Sequence, residues 1–99
     1  MTLTLTFHGH ACFEASGDGK RIIIDPFLTG NPKADVPADR IPKLDAILLS
    51  HGHGDHLGDA IPLARKHQAT IVATYELAKF CQERGATTHA MHIGGSHRF

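Results

Sequence analysis

One junction constrains this chain more than any other feature. The apolar run Ala46-Ile47-Leu48-Leu49 passes directly into Ser50-His51-Gly52-His53-Gly54-Asp55-His56. The run reads as a buried strand, and the tract that follows cannot prolong it, because rings and a carboxylate carried into a core would lose water without gaining partners. The polar tract therefore lies just past a strand's carboxyl end. It offers four metal-ligating side chains, His51, His53, Asp55 and His56, and Gly52 and Gly54 allow the backbone to bend sharply between them.

The spacing suggests a division of labour. His51 and His53 are two apart, so in an extended segment their rings share a face and can hold one ion, while a turn brings Asp55 and His56 to a neighbouring one. Two ions about 3.5 to 4 Å apart can share a hydroxide and lower its pKa, a route to hydrolysis. Two other readings stay open. The tract could be a solvated loop with Asp55 capping a helix, or His53 or His56 could be a general base without metal.

Around this tract the periodicity predicts an α/β arrangement with a mixed sheet and flanking helices. Thr2 to Phe7 alternate Thr with Leu or Phe, a half-buried strand with Leu3, Leu5 and Phe7 inward. Ala11 to Ala15 form a second strand, joined through the turn Ser16-Gly17-Asp18-Gly19 as a hairpin. Ile22, Ile23 and Ile24 read as a strand covered on both faces and ending at Asp25-Pro26. Phe27 to Lys43, with three prolines and no period, is a long ordered loop of the kind that lines sites. A helix starts near Asp59, with Pro62 in its first turn, or is kinked at Pro62. A strand over Thr70 to Ala73, a helix over Tyr75 to Arg84 with Gly85 as its stop, and a strand over Thr87 to His89 complete the series.

Composition narrows the partners. Ninety-nine residues make one small domain. Ten basic and ten acidic side chains cancel, which predicts no preference for nucleic acid or an anionic membrane. No apolar run approaches the ~20 residues of a bilayer span, and the start MTLTLTFHGH carries no leader pattern, so the expected location is cytoplasmic. Cys12 and Cys81 read as buried free thiols. Only the nine histidines are unusual.

The tract His51-x-His53-x-Asp55-His56 resembles the signature of the metallo-β-lactamase fold superfamily. Phe7-His8-Gly9-His10-Ala11, Ile24-Asp25-Pro26-Phe27 with Gly30-Asn31-Pro32, and Met91-His92-Ile93-Gly94-Gly95 narrow the likeness to the UlaG-like, UPF0173-type metal-dependent hydrolases. The resemblance implies that His51 and His53 ligate a first ion and Asp55 and His56 a second, with Asp55 also orienting the attacking hydroxide. It places His10 near the mouth of the site as a catalytic donor to substrate. It further implies a metal-activated hydroxide attacking an ester, amide, lactone or phosphoester in a small molecule. Zinc, as one or two ions, suits imidazole and carboxylate, and manganese, iron or nickel also accept N/O donors. Asp25 reads either as a group that orients ligands or as a strand-end turn acceptor. His8, His67, His89, His92 and His97 read as surface or satisfied core residues.

Proteins of this kind are usually more than twice as long and form an αββα sandwich from two similar halves, so residues 1–99 correspond to a partial domain, the amino-terminal half. The remaining ligands, a third His for the first ion, a bridging Asp and a last His, are expected beyond Phe99. Two imidazoles, or Asp55 with His56 alone, would hold an ion weakly. One sheet face should also lie bare, to be covered by further chain of a truncated protein, a separately encoded half or a second copy. Gly94-Gly95 followed by Phe99 resembles the approach to another strand. A different class of function is a non-catalytic metal-binding or assembly module that pairs through the exposed sheet face.

Overall fold

The computed structural model describes residues 2–98. Phe99, read above as the approach to another strand, lies outside them. Six strands, β1 (Thr4–Gly9), β2 (Cys12–Gly17), β3 (Lys20–Ile24), β4 (Ala46–Leu48), β5 (Thr70–Ala73) and β6 (Thr87–Ala90), form one sheet in sequential order. The first three pair antiparallel, and β3 through β6 pair parallel. The sheet is therefore mixed, with β1 running in the same direction as β3 to β6. The carboxyl ends of β1, β3 and β4 consequently share one edge, and each leads into a residue of the candidate site.

Three helices follow β4: the single turn α1 (Gly54–Leu57), then α2 (Ala60–His67) and α3 (Tyr75–Glu83). Pro62 occupies the first turn of α2, where its missing N–H costs nothing. Gly85, at φ 95°, follows the end of α3, and the Ala86 N–H bonds back to the Cys81 carbonyl. The loop over 27–43 contains one 3-10 turn, Ala38–Arg40.

Register divides the sheet into two unlike faces. Ile23, Ile47 and Ile71 lie side by side across β3, β4 and β5, each 0% exposed. They form one core with Leu63, Ala64 and Ala78 of the helices, with Leu28 and Ile41 of the long loop, and with Leu44 just after it. The loop thus belongs to the same hydrophobic core as α2 and α3. The opposite face presents two rows, Phe7-Phe13-Ile24-Leu48-Val72 and Leu5-Ala15-Ile22-Ala46-Thr70.

This corrects two expectations. Leu3, Leu5 and Phe7 are not inward but 61%, 67% and 56% exposed, because the alternation places them on the face without helices. Ile22 and Ile24 are only half-buried for the same reason, so β3 is fully covered on one side alone. Cys12 and Cys81 are buried free thiols. Among the described residues, no helix is long and apolar enough to cross a membrane.

Candidate metal centre

The site is assembled where β1, β3 and β4 end. Gly9 adopts φ 105° and His10 φ 58°, so the chain turns through two left-handed residues in succession. Such a conformation is unfavourable at His10 and persists only where the surroundings hold it. A side chain on Gly9 would meet the Lys33 backbone at 2.8 Å. Asn31, itself buried, donates from Nδ2 to the carbonyls of Gly9 and Phe27 (3.3 and 2.9 Å) and accepts the Lys33 N–H. The long loop thereby clasps the corner that carries His10.

Asp25 also adopts a left-handed conformation, φ 46°, directly after β3. It is 3% exposed, and its carboxylate is fully occupied. Oδ1 accepts the Ser50 N–H at 2.8 Å, and Oδ2 accepts the Ser50 hydroxyl at 2.5 Å and His56 Nδ1 at 2.9 Å. Of its two sequence readings, the structure supports the ligand-orienting one. A carboxylate only accepts, so His56 Nδ1 is the donor, and in the neutral ring Nε2, on the side of Asp55, is then the acceptor.

The turn after α1 is pinned to the same loop. A Cβ on Gly58 would lie 2.5 Å from Phe27 Cα and the Pro26 oxygen. Asp59 does not cap α2 with its side chain; its Oδ2 accepts the N–H groups of Leu28 and Thr29 at 3.0 and 2.8 Å. Gly58 and Asp59 thus fix α1, and with it Asp55 and His56, against the segment that leaves Asp25.

These supports bring three donors together. The ligand atoms of His10, Asp55 and His56 all lie within 4.8 Å of one another. His10 Nε2 is 3.1 Å from Asp55 Oδ2, and His56 Nε2 is 3.8 Å from Asp55 Oδ1. Desolvation pushes the Asp55 carboxyl upward, but its own backbone N–H and the His56 and His10 rings outweigh this and hold it below the ordinary carboxylate range. An oxygen-bearing anion between two imidazoles, one of them held at Nδ1 by Asp25, is a donor set that fits a divalent ion. His51 and His53 are not in this group of three, but their rings adjoin it, with centroids 4.6 Å apart, and His51 lies 4.0 Å from His56.

His10, read from the sequence as a donor to substrate, lies in one group with Asp55 and His56. The sequence reading also passed over Ser50, Asn31 and Asp59. The signal for Ser50 was present, a hydroxyl directly before the first histidine. Asn31 reaches Gly9 across 22 residues, and Asp59 reaches Leu28 and Thr29 across 31 and 30, contacts that no local pattern reveals. Of the remaining histidines, His8 is buried with Nδ1 2.6 Å from Asp35 Oδ1, and His67 Nε2 is buried without a partner among the described residues. The rings of His89 and His97 lie tilted by 33° with centroids 4.1 Å apart.

Residues 5–98 match the family profile of the Metallo-beta-lactamase superfamily. The whole chain is 58% identical to a UPF0173 metal-dependent hydrolase of Desulfitobacterium hafniense, of which it covers 42%. It is 56% identical over 97 residues to one of Bacillus cereus, again covering 42% of that protein. Among solved structures, Igni18, a metallo hydrolase from Ignicoccus hospitalis, superposes with a TM-score of 0.89 at 30% identity over 97% of this chain and 42% of its own. CmlA, a diiron β-hydroxylase from Streptomyces venezuelae, shares the fold alone, with a TM-score of 0.69 at 24% identity over 89% of this chain and 20% of its own. The chain therefore spans about two fifths of the length of the curated relatives it matches. With the profile, the sheet order and the histidine tract in agreement, the chain belongs to the metallo-β-lactamase superfamily.

Proposed function

We propose that this chain is the amino-terminal half of a metal-dependent hydrolase acting on a small molecule, and that its carboxyl-edge cluster supplies part of the metal centre. The observation that carries the reading is the convergence of His10, Asp55 and His56, with His56 oriented by the buried Asp25. His51 and His53 are assigned to an adjacent ion, and zinc is the first candidate, with manganese, iron or nickel as alternatives for N/O donors. A bound divalent ion supplies Lewis acidity and lowers the pKa of water.

The chain's own residues have separate tasks. Asp25 holds the His56 ring. Asp55 Oδ2 lies 3.1 Å from His10 Nε2, and its carboxylate keeps lone pairs for an attacking water. The Phe27 ring, edge-on to His10 with centroids 5.8 Å apart, shields one side of that imidazole from solvent.

The helix-free sheet face supports a partner in the same reading. Its apolar rows border a groove of about 660 Å³ lined by Ile22, Leu48, Val72 and Met91. Such a patch is the kind a second sheet covers, and that sheet is the proposed source of the remaining ligands. The test is hydrolysis of a panel of ester, lactone and phosphodiester substrates by the longest natural form of the protein, with and without one to two equivalents of zinc. Zinc-dependent turnover that falls at least ~100-fold in His51→Ala and His56→Ala is expected. Stoichiometric zinc binding in a closed shell, with no turnover of any class, would instead favour a structural metal module.

A further inference from the structure

Ser50 joins the buried carboxylate to the histidine tract. Its hydroxyl oxygen lies 2.5 Å from Asp25 Oδ2 and 2.9 Å from His51 Nδ1. A hydroxyl owns a single proton, and a carboxylate can only accept. The Ser50 proton therefore points at Asp25, and only a lone pair remains for His51. The His51 Nδ1 must then be the donor, which in the neutral ring makes Nε2 the acceptor. The carboxylate that orients His56 directly thus reaches His51 through one intervening hydroxyl.

We propose that Ser50 is a positioning residue that transmits the Asp25 carboxylate to His51, so that one buried aspartate sets the Nδ1–H tautomer of two histidines assigned to different ions. Its geometry arises from the parallel pairing of β3 and β4. That pairing, which ends at Ile24 opposite Leu48, brings Asp25 and Ser50 to the same sheet edge, where the Ser50 N–H and hydroxyl both fall on the Asp25 carboxylate. Tautomer selection by an outer hydrogen bond raises ligand basicity and keeps the ring from rotating, and loss of such a partner commonly weakens metal binding about 10–100-fold.

The consequence for metal affinity rests on the proposed function, but the tautomer does not, and the experiment separates the two. Long-range proton–nitrogen correlation spectra of ¹⁵N-histidine protein, recorded metal-free in the alkaline range where imidazole is neutral, read each ring directly. In the unmodified protein His51 and His56 are both expected in the Nδ1–H form. In Ser50→Ala, His51 shifts toward Nε2–H while His56 stays unchanged, and Ser50→Thr restores His51. Zinc affinity by chelator competition falls about 10–100-fold in Ser50→Ala and recovers in Ser50→Thr. An Nε2–H form of His51 in the unmodified protein overturns the inference, whether or not the alanine variant folds. So does weakened zinc binding in Ser50→Ala without any change at His51, since the hydroxyl then acts on structure alone. The stated tautomers in a protein that binds no zinc at any concentration would support the inference and overturn the proposed function.

Discussion

His56 and Asp25 are 31 residues apart in the chain and meet at 2.9 Å between Nδ1 and Oδ2, so a ring on a one-turn helix is held by a carboxylate from a different strand. The strand end supplies rigidity that α1, at four residues, could not provide for itself. Replacing Asp25 with Ala should lower zinc affinity by ~10–100-fold. It should also cost about 1–3 kcal/mol of stability, because the Ser50 N–H loses its acceptor. Chelator competition and urea unfolding measure the two effects separately.

The turn that fixes α1 has no room for a side chain. Gly58→Ala brings a Cβ to 2.5 Å of the Phe27 and Pro26 backbone at φ 46° and should destabilise the fold by ~1–3 kcal/mol or more. Gly54, where a Cβ meets nothing within 4 Å, is the internal control. Gly54→Ala should be neutral or stabilising by up to ~1 kcal/mol, as expected of Ala at a helical position. Equal losses in the two variants by urea unfolding would contradict the clasp between Gly58 and the loop.

The two sheet faces should answer differently to truncation. Ile47→Ala, at a 0% exposed position under the helices, should cost roughly 2–5 kcal/mol. Phe7→Ser, at a 56% exposed position on the bare face, should cost under ~1 kcal/mol in the 99-residue chain. The comparison is made by urea unfolding at protein concentrations low enough to keep the chain monomeric. A large loss for Phe7→Ser would mean that the bare face is already packed.

Much of this architecture was legible from periodicity, and its failures share one cause. The strand at Ala46, the polar tract after it, the helix beginning near Pro62 and the stop at Gly85 follow from local pattern and backbone chemistry. Alternation in Thr2 to Phe7 identifies a strand and its apolar face but not what covers that face, so it points Leu5 and Phe7 inward, where the structure leaves them exposed. The site divides likewise. The histidine tract stood out by spacing, while the Asn31 and Asp59 clasps depend on contacts between distant segments. His10 joins Asp55 only because two left-handed residues turn the chain at the end of β1.

Stability should fall at high pH through Cys12. Burial, followed by the neighbouring Glu14 and Asp25 carboxylates, pushes the thiol up from 9.0 to about 12. The folded value exceeds the unfolded one, so this contribution is intact below about 9 and is lost as pH rises through 9 toward 12. Urea midpoints across that window should decline less steeply in Cys12→Ala than in the unmodified chain. Identical slopes would place the alkaline loss elsewhere.

The central claim is that His10, Asp55 and His56 hold one divalent ion at the carboxyl edge of the sheet. Anomalous diffraction at the zinc edge, from crystals of the protein grown with zinc, tests it most directly. The account predicts a peak bonded to His10 Nε2, His56 Nε2 and an Asp55 oxygen at about 2.0–2.2 Å, with the His56 Nδ1 contact to Asp25 retained. A zinc peak bound elsewhere, with the His10 and His56 rings turned away from Asp55, would contradict it.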